Sequence, residues 1–173
     1  MAYALNVFCS ELNALLKKKG KDGVSDVMEK LKNLLANADF VAETFNEETP
    51  KGKRELYHDA DSGAYVFAHV HHPGKRGKPH SHGDSWAVYG TAKGYTLMTE
   101  WERANDAAED HVALNKSAHY RLSAGDAHAY GPGVMHSTEH PEKCWVIRIT
   151  GTNLSDIPRY HFNAETDRIL ENS

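Results

Sequence analysis

Apolar residues recur at helical spacing from Leu5 to Leu16, at Leu5, Phe8, Leu12, Leu15 and Leu16, a pattern that gathers them on one face of an α-helix. Lys17 to Lys19 and then Gly20 supply a cationic last turn and a stop. A second amphipathic helix is expected to start near Ser25 as N-cap, to carry Val27, Met28, Leu31, Leu34 and Leu35 on one stripe, and to end around Asn37. Together they predict a helical hairpin over residues 1–45. The segment Asn46 to Glu55 has no periodicity and contains Pro50 and Gly52, so it reads as a link into a different architecture. From Tyr57 onward the pattern shifts to short runs rich in β-formers: Ala64 to His71, Ser85 to Tyr89, Tyr95 to Trp101, Ala118 to Leu122 and Trp145 to Thr150. Turn residues bound each run, and no helical pattern intervenes. That succession favours an antiparallel sandwich or closed barrel over residues 46–173, in one structural domain with the hairpin. The tail after Pro158 is mixed in character and is expected to pack outside the barrel.

Composition narrows the chemistry. A length of 173 residues suits one domain with a full core. Twenty basic and 24 acidic residues give a formal charge of -4, so neither nucleic acid nor an anionic membrane is expected as a partner. A small molecule is, and a homodimer is left open. Two cysteines, Cys9 and Cys144, are too few for a disulfide scaffold and fit a reducing compartment. With no basic leader and no apolar run of membrane-spanning length, the expected location is the cytoplasm.

The anomaly is histidine. Twelve are present, most of them between His69 and His140. His80 and His82 are one residue apart, so on an extended strand both rings point to one face, about 7 Å apart at Cα. In GDAHAYGPGVMHSTEH, the Gly131-Pro132-Gly133 turn delivers His136 onto the next strand. Three neutral imidazoles with open coordination positions suit a divalent metal that must also bind a reactant.

The spacing around these residues resembles the two motifs of the cupin superfamily. Gly74, His80, His82 and Gly94 fall in register with the first motif, and Gly125, Gly133 and His136 with the second. Ala87 stands where the first motif has Glu, Gly131 where the second has Pro, and His140 where it has Asn. The resemblance implies an all-β double-stranded β-helix barrel, or jelly roll, behind the N-terminal helical hairpin. It implies His80, His82 and His136 as metal ligands. Without the Glu, the set resembles the three-histidine branch that includes cysteine dioxygenase and the diketone-cleaving dioxygenases. That branch implies mononuclear Fe(II) and O2 as co-substrate, with Zn, Ni or Mn as alternative ions. Two features depart from the thiol enzyme: Ala87 cannot form its Cys–Tyr crosslink, and its Ser-x-His-x-Tyr strand is replaced by Arg148-Ile149-Thr150-Gly151-Thr152.

Three more residues are candidates for a catalytic role. Arg148 interrupts the apolar run CWVIRIT, where a charge needs a partner. It predicts either an anchor for a substrate carboxylate or an internal ion pair with a residue such as Glu100. Tyr89, two residues beyond Ala87, shares its face and can donate to bound substrate. His128 lies in the turn before His136 and is the third candidate. His69, His71 and His72 read as a solvated strand end and loop, with His69 and His71 on one face from which one can support the ligands. His140 is expected to hold its loop, and Trp86, Trp101 and Trp145 to pack the barrel. The function expected is oxygen-dependent oxidation of a small thiol, diketone or phenolic or carboxylic acid. A metal-dependent isomerase or lyase and a non-catalytic ligand-binding cupin are the alternatives.

Overall fold

A computed structural model describes residues 3–106, 111–157, 161–163 and 168–170. Three helices open the chain: α1 (Leu5–Lys19), α2 (Val24–Leu35) and α3 (Ala38–Thr44), with a 3-10 turn at Gly20–Gly23 between the first two. Helix α1 buries Phe8, Cys9, Leu12 and Leu16 and stops at Gly20, whose φ of 55° suits glycine. Helix α2 begins at Val24 without a side-chain cap and ends at Leu35, so Ser25 is not its N-cap. That end lies two residues before Asn37, around which it was expected, and Asn37 itself opens the next helix. Its side chain accepts from the backbone N–H groups of Asp39 and Phe40 and starts α3.

Eleven described strands follow: β1 (Gly52–His58), β2 (Tyr65–His71), β3 (Lys75–Arg76), β4 (Ala87–Lys93), β5 (Tyr95–Arg103), β6 (Leu114–Ser123), β7 (Ala127–Tyr130), β8 (Met135–His140), β9 (Cys144–Thr150), β10 (His161–Asn163) and β11 (Arg168–Leu170). One sheet has the order β1-β2-β9-β4-β7 and the facing one β3-β8-β5-β6. Successive strands change sheets at β2-β3, β3-β4, β4-β5, β6-β7, β7-β8 and β8-β9, and all pairings in the two sheets are antiparallel. This winding is the double-stranded β-helix, or jelly roll. Residues 46–55 are not wholly a link, because β1 pairs with the edge of β2. It is mostly exposed and is held through its backbone, so it carries no apolar alternation.

Both faces of the five-stranded sheet are covered. Val66, Ala68, Val70, Val88, Ile147 and Ile149 turn outward and share one apolar core with the three helices, together with Trp86 and Trp145. Helix α2 lies so close to β4 that a Cβ on Gly90 would sit 2.7 Å from Leu31 and Leu35 methyls. The inward face is different in chemistry. Among the described residues, the apolar cluster buried between the sheets is small: Met98, Leu122 and Tyr130. Because the helices take most of the apolar burial, the barrel interior is free to carry polar groups. No described helix is long and apolar enough to cross a membrane.

Candidate metal centre

His80 and His136 sit opposite each other on neighbouring backbones. His80 N–H donates to the His136 carbonyl at 3.0 Å, and His136 N–H to the His80 carbonyl at 2.9 Å. His82 follows in an irregular segment, so the pair does not lie on the regular strand that its spacing suggested. Loop geometry, set by the bridge at His80, brings the rings together. Their centroids are 5.3 Å apart for His80 and His82, and 4.7 Å for each of these with His136.

One nitrogen from each ring lies within 4.8 Å of the other two. Three such atoms have a common point at most about 2.8 Å from each, an upper limit that lies above the ~2.0–2.1 Å of an imidazole–metal bond. The donor set is therefore one that could hold a metal. Two further observations fit. His136 is fully buried, and neither of its ring nitrogens has a hydrogen-bond partner. Orphaned buried nitrogens are costly unless something outside the protein satisfies them. His80 Nδ1 lies 3.0 Å from the Lys78 carbonyl, which places the proton on that nitrogen and leaves Nε2 as a lone-pair donor. Burial first, and then the nearby His80, pushes His136 down to about 3, so it is neutral at physiological pH, as a ligand must be.

Tyr89 shares the inward face with Ala87, and its hydroxyl is 3.4 Å from His82 Nε2. Ala87 is fully buried and leaves only a methyl group where a ligand carboxylate would stand. Arg148 is in register with both Tyr89 and Phe67 across the sheet. Its guanidinium lies 5.6 Å from the Phe67 ring centroid, and its Nε is buried without a hydrogen-bond partner. No ion pair joins it to Glu100. That carboxylate instead accepts from Tyr120 at 2.7 Å, and His128 Nε2 is 3.4 Å from the same oxygen. His128 thus sits beside Glu100 and the Tyr120 and Tyr130 rings, and it is not part of the cavity wall.

The cavity has a volume of about 210 Å³ and reaches from His80, Tyr89 and Arg148 to His71, His140 and Lys75. His69 and His71 line it, whereas a solvated strand end was expected. β2 alternates, and its odd-numbered positions from Phe67 to His71 face the interior. His140 is also buried and lines the cavity, with Cys144 Sγ 3.0 Å from its Nδ1. Burial pushes the Cys144 thiol up to about 11, so it stays protonated and can donate to that nitrogen.

Two groups at the centre carried no clear signal in the sequence. Tyr130, buried between the sheets, stacks on His136 with centroids 4.5 Å apart, and its hydroxyl is 2.7 Å from that of Tyr120. His161, from the tail expected to lie outside, stacks on His80 at 5.4 Å and lines the cavity. Phe162 N–H fixes that short strand to the Pro79 carbonyl. The aromatic run Tyr160-His161-Phe162 in an otherwise polar tail was the only hint.

No family model and no curated protein matches the chain. Among solved structures it is similar to a cupin-2 domain protein from Shewanella frigidimarina, at 17% identity and TM-score 0.44, covering 69% of this chain and 95% of that one. A protein with a double-stranded β-helix domain from Klebsiella pneumoniae is similar at 18% identity and TM-score 0.41, over 64% and 84% of the two chains. Oxalate oxidase in complex with the substrate analogue glycolate is similar at 17% and 0.42, over 62% and 55%. At these values the strand order, not the neighbours, identifies the fold.

Proposed function

We propose that the protein is a mononuclear non-haem iron dioxygenase of the cupin type that oxidises a small organic acid, a thiol acid among the candidates, with O2. The observation that carries this reading is the convergence of three imidazoles, of which His80 opens onto a cavity that also holds Arg148, a residue without a carboxylate partner among the described residues. His80, His82 and His136 would hold the ion. When bound, Fe(II) supplies open positions and redox chemistry for substrate and dioxygen together.

The chain's own residues divide the remaining work. Arg148 offers a planar donor fork for a substrate carboxylate, and its Nε is shielded from water. The Tyr89 hydroxyl, close to His82, donates to a polar group of the bound substrate. Ala87 adds no negative charge to the ligand set. Tyr130 packs flat on His136 and restrains its ring.

The same phenol at Tyr89 also supports a second reading, a metal-dependent isomerase or lyase in which the tyrosine moves a proton. Anaerobic metal analysis followed by an oxygen-electrode screen of thiols, diketones and phenolic acids separates the two. Substrate-dependent oxygen uptake by the Fe(II) form is expected. Full turnover under argon by a zinc-loaded sample would transfer the assignment to the isomerase or lyase, and tight binding without turnover to a ligand-binding role.

A further inference from the structure

The cavity wall is rich in donors and lacks acceptor charge. Lys75, Lys78 and Arg148 line it, and among the described residues no aspartate or glutamate does. Arg148 and Lys75 fall at two levels along the barrel axis. The inner level is Arg148, beside Tyr89 and the metal ligands, with an unpartnered buried Nε. The outer level is at the far end of β2 and β8, where His71 stacks on His140 with centroids 4.0 Å apart. Lys75, paired in register with His140, donates to His71 Nδ1 at 3.3 Å.

That contact fixes the chemistry of the outer level. An ammonium group has no acceptor, so Nδ1 of His71 is the bare nitrogen and Nε2 carries the proton. Cys144 donating to His140 Nδ1 leaves His140 with the same tautomer. Both imidazoles are therefore neutral N–H donors beside an ammonium group. Between the two levels, His69 is nine-tenths buried, and its Nε2 has no partner. Burial, then the charges of Lys51 and Arg148, holds the Lys75 ammonium below its ordinary range. The charged side chains described on the cavity wall are thus all cationic. His136 and His140, four residues apart on one strand, separate the metal end from the outer end by about 13 Å.

We propose that the substrate is an elongated organic acid with two anionic groups, one held by Arg148 beside the metal centre and the other by Lys75, His71 and His140 at the far end of the cavity. The inner contact rests on the reading of Arg148 as the substrate anchor given above. The outer one does not depend on it, or on the metal. A single-anion substrate would leave the outer donors facing solvent or a bound counter-ion, whereas a dianion satisfies both levels at once.

Calorimetric titration of metal-free and zinc-loaded protein with glutarate, adipate and suberate, each against the monocarboxylate of equal chain length, tests this. At least one dicarboxylate should bind ten times more tightly than its counterpart. Lys75→Met should remove that advantage and leave the monocarboxylate within twofold. Lys51→Met removes a nearby charge that does not line this cavity, and it should leave the advantage in place. Equal binding of every matched pair would overturn the proposal. So would an equal loss in the two lysine variants, which would mean long-range attraction instead of contact. Because these titrations need neither iron nor oxygen, a dicarboxylate preference without oxygen uptake would sink the dioxygenase reading alone. Oxygen uptake with matched pairs binding alike would sink the two-anion site alone.

Discussion

His136 illustrates how one residue can be costly for the fold and useful at the site. A fully buried imidazole with two orphaned nitrogens weakens the barrel unless an ion satisfies one of them. His82→Ala removes one of the three converging imidazoles without touching the helix–sheet core. Metal occupancy should fall at least tenfold while the circular dichroism spectrum is unchanged; retained metal would exclude His82 as a ligand. Arg148→Lys keeps the charge but loses the planar fork. kcat/KM should drop about tenfold, equivalent to ~1.4 kcal/mol, with metal content unaltered. A normal kcat/KM in this variant would remove the carboxylate anchor.

Among the elements, α2 and β4 are the most tightly fitted pair. Gly90 allows the helix to sit against the strand, and a methyl group there would meet two leucine side chains at 2.7 Å. Gly90→Ala should therefore destabilise the protein by ~1–3 kcal/mol in urea melts, the usual cost of overpacking. Leu31→Ala, which opens a void at the same contact, should cost ~2–5 kcal/mol. A Gly90→Ala protein as stable as the parent would mean that α2 moves freely on the sheet. The strand behind this contact, with Tyr89 and Thr91 turned the other way, would then be less firmly placed at the cavity than its register implies.

At the scale of the whole molecule, the buried imidazoles couple stability to pH. Burial, aided by Arg148 for His69, by His140 for His71 and by Lys75 for His140, lowers these groups to about 2, 3 and 4. The same groups titrate near pH 6.5 in an unfolded chain. With His136, also held near 3 in the metal-free protein, the unfolded state below that pH takes up as many as four more protons than the folded one, so stability is full above pH 6.5 and declines as the pH falls. Denaturant melts of the metal-free protein at pH 7.5, 6 and 5 should show a steadily falling midpoint. A flat profile across that range would show that these histidines are solvated.

Local pattern alone determined much of this protein. The amphipathic helices, the change to short strands near Tyr57, and the spacing of His80, His82 and His136 are all written in consecutive residues, because helix and strand periodicities are local. Other features belong to the tertiary structure. β1 is visible only as a partner of β2, since an exposed edge strand held by backbone bonds needs no apolar code. His69, His71 and His140 read as loop and surface groups until the two sheets face each other and enclose them. The tail reads as peripheral, yet pairing at Pro79 brings His161 against His80. Whether Arg148 meets Glu100 depends on which sheet each side chain faces and on the prior engagement of Glu100 by Tyr120. Burial and pairing between distant strands are sums over the whole chain, so no window of neighbouring residues contains them.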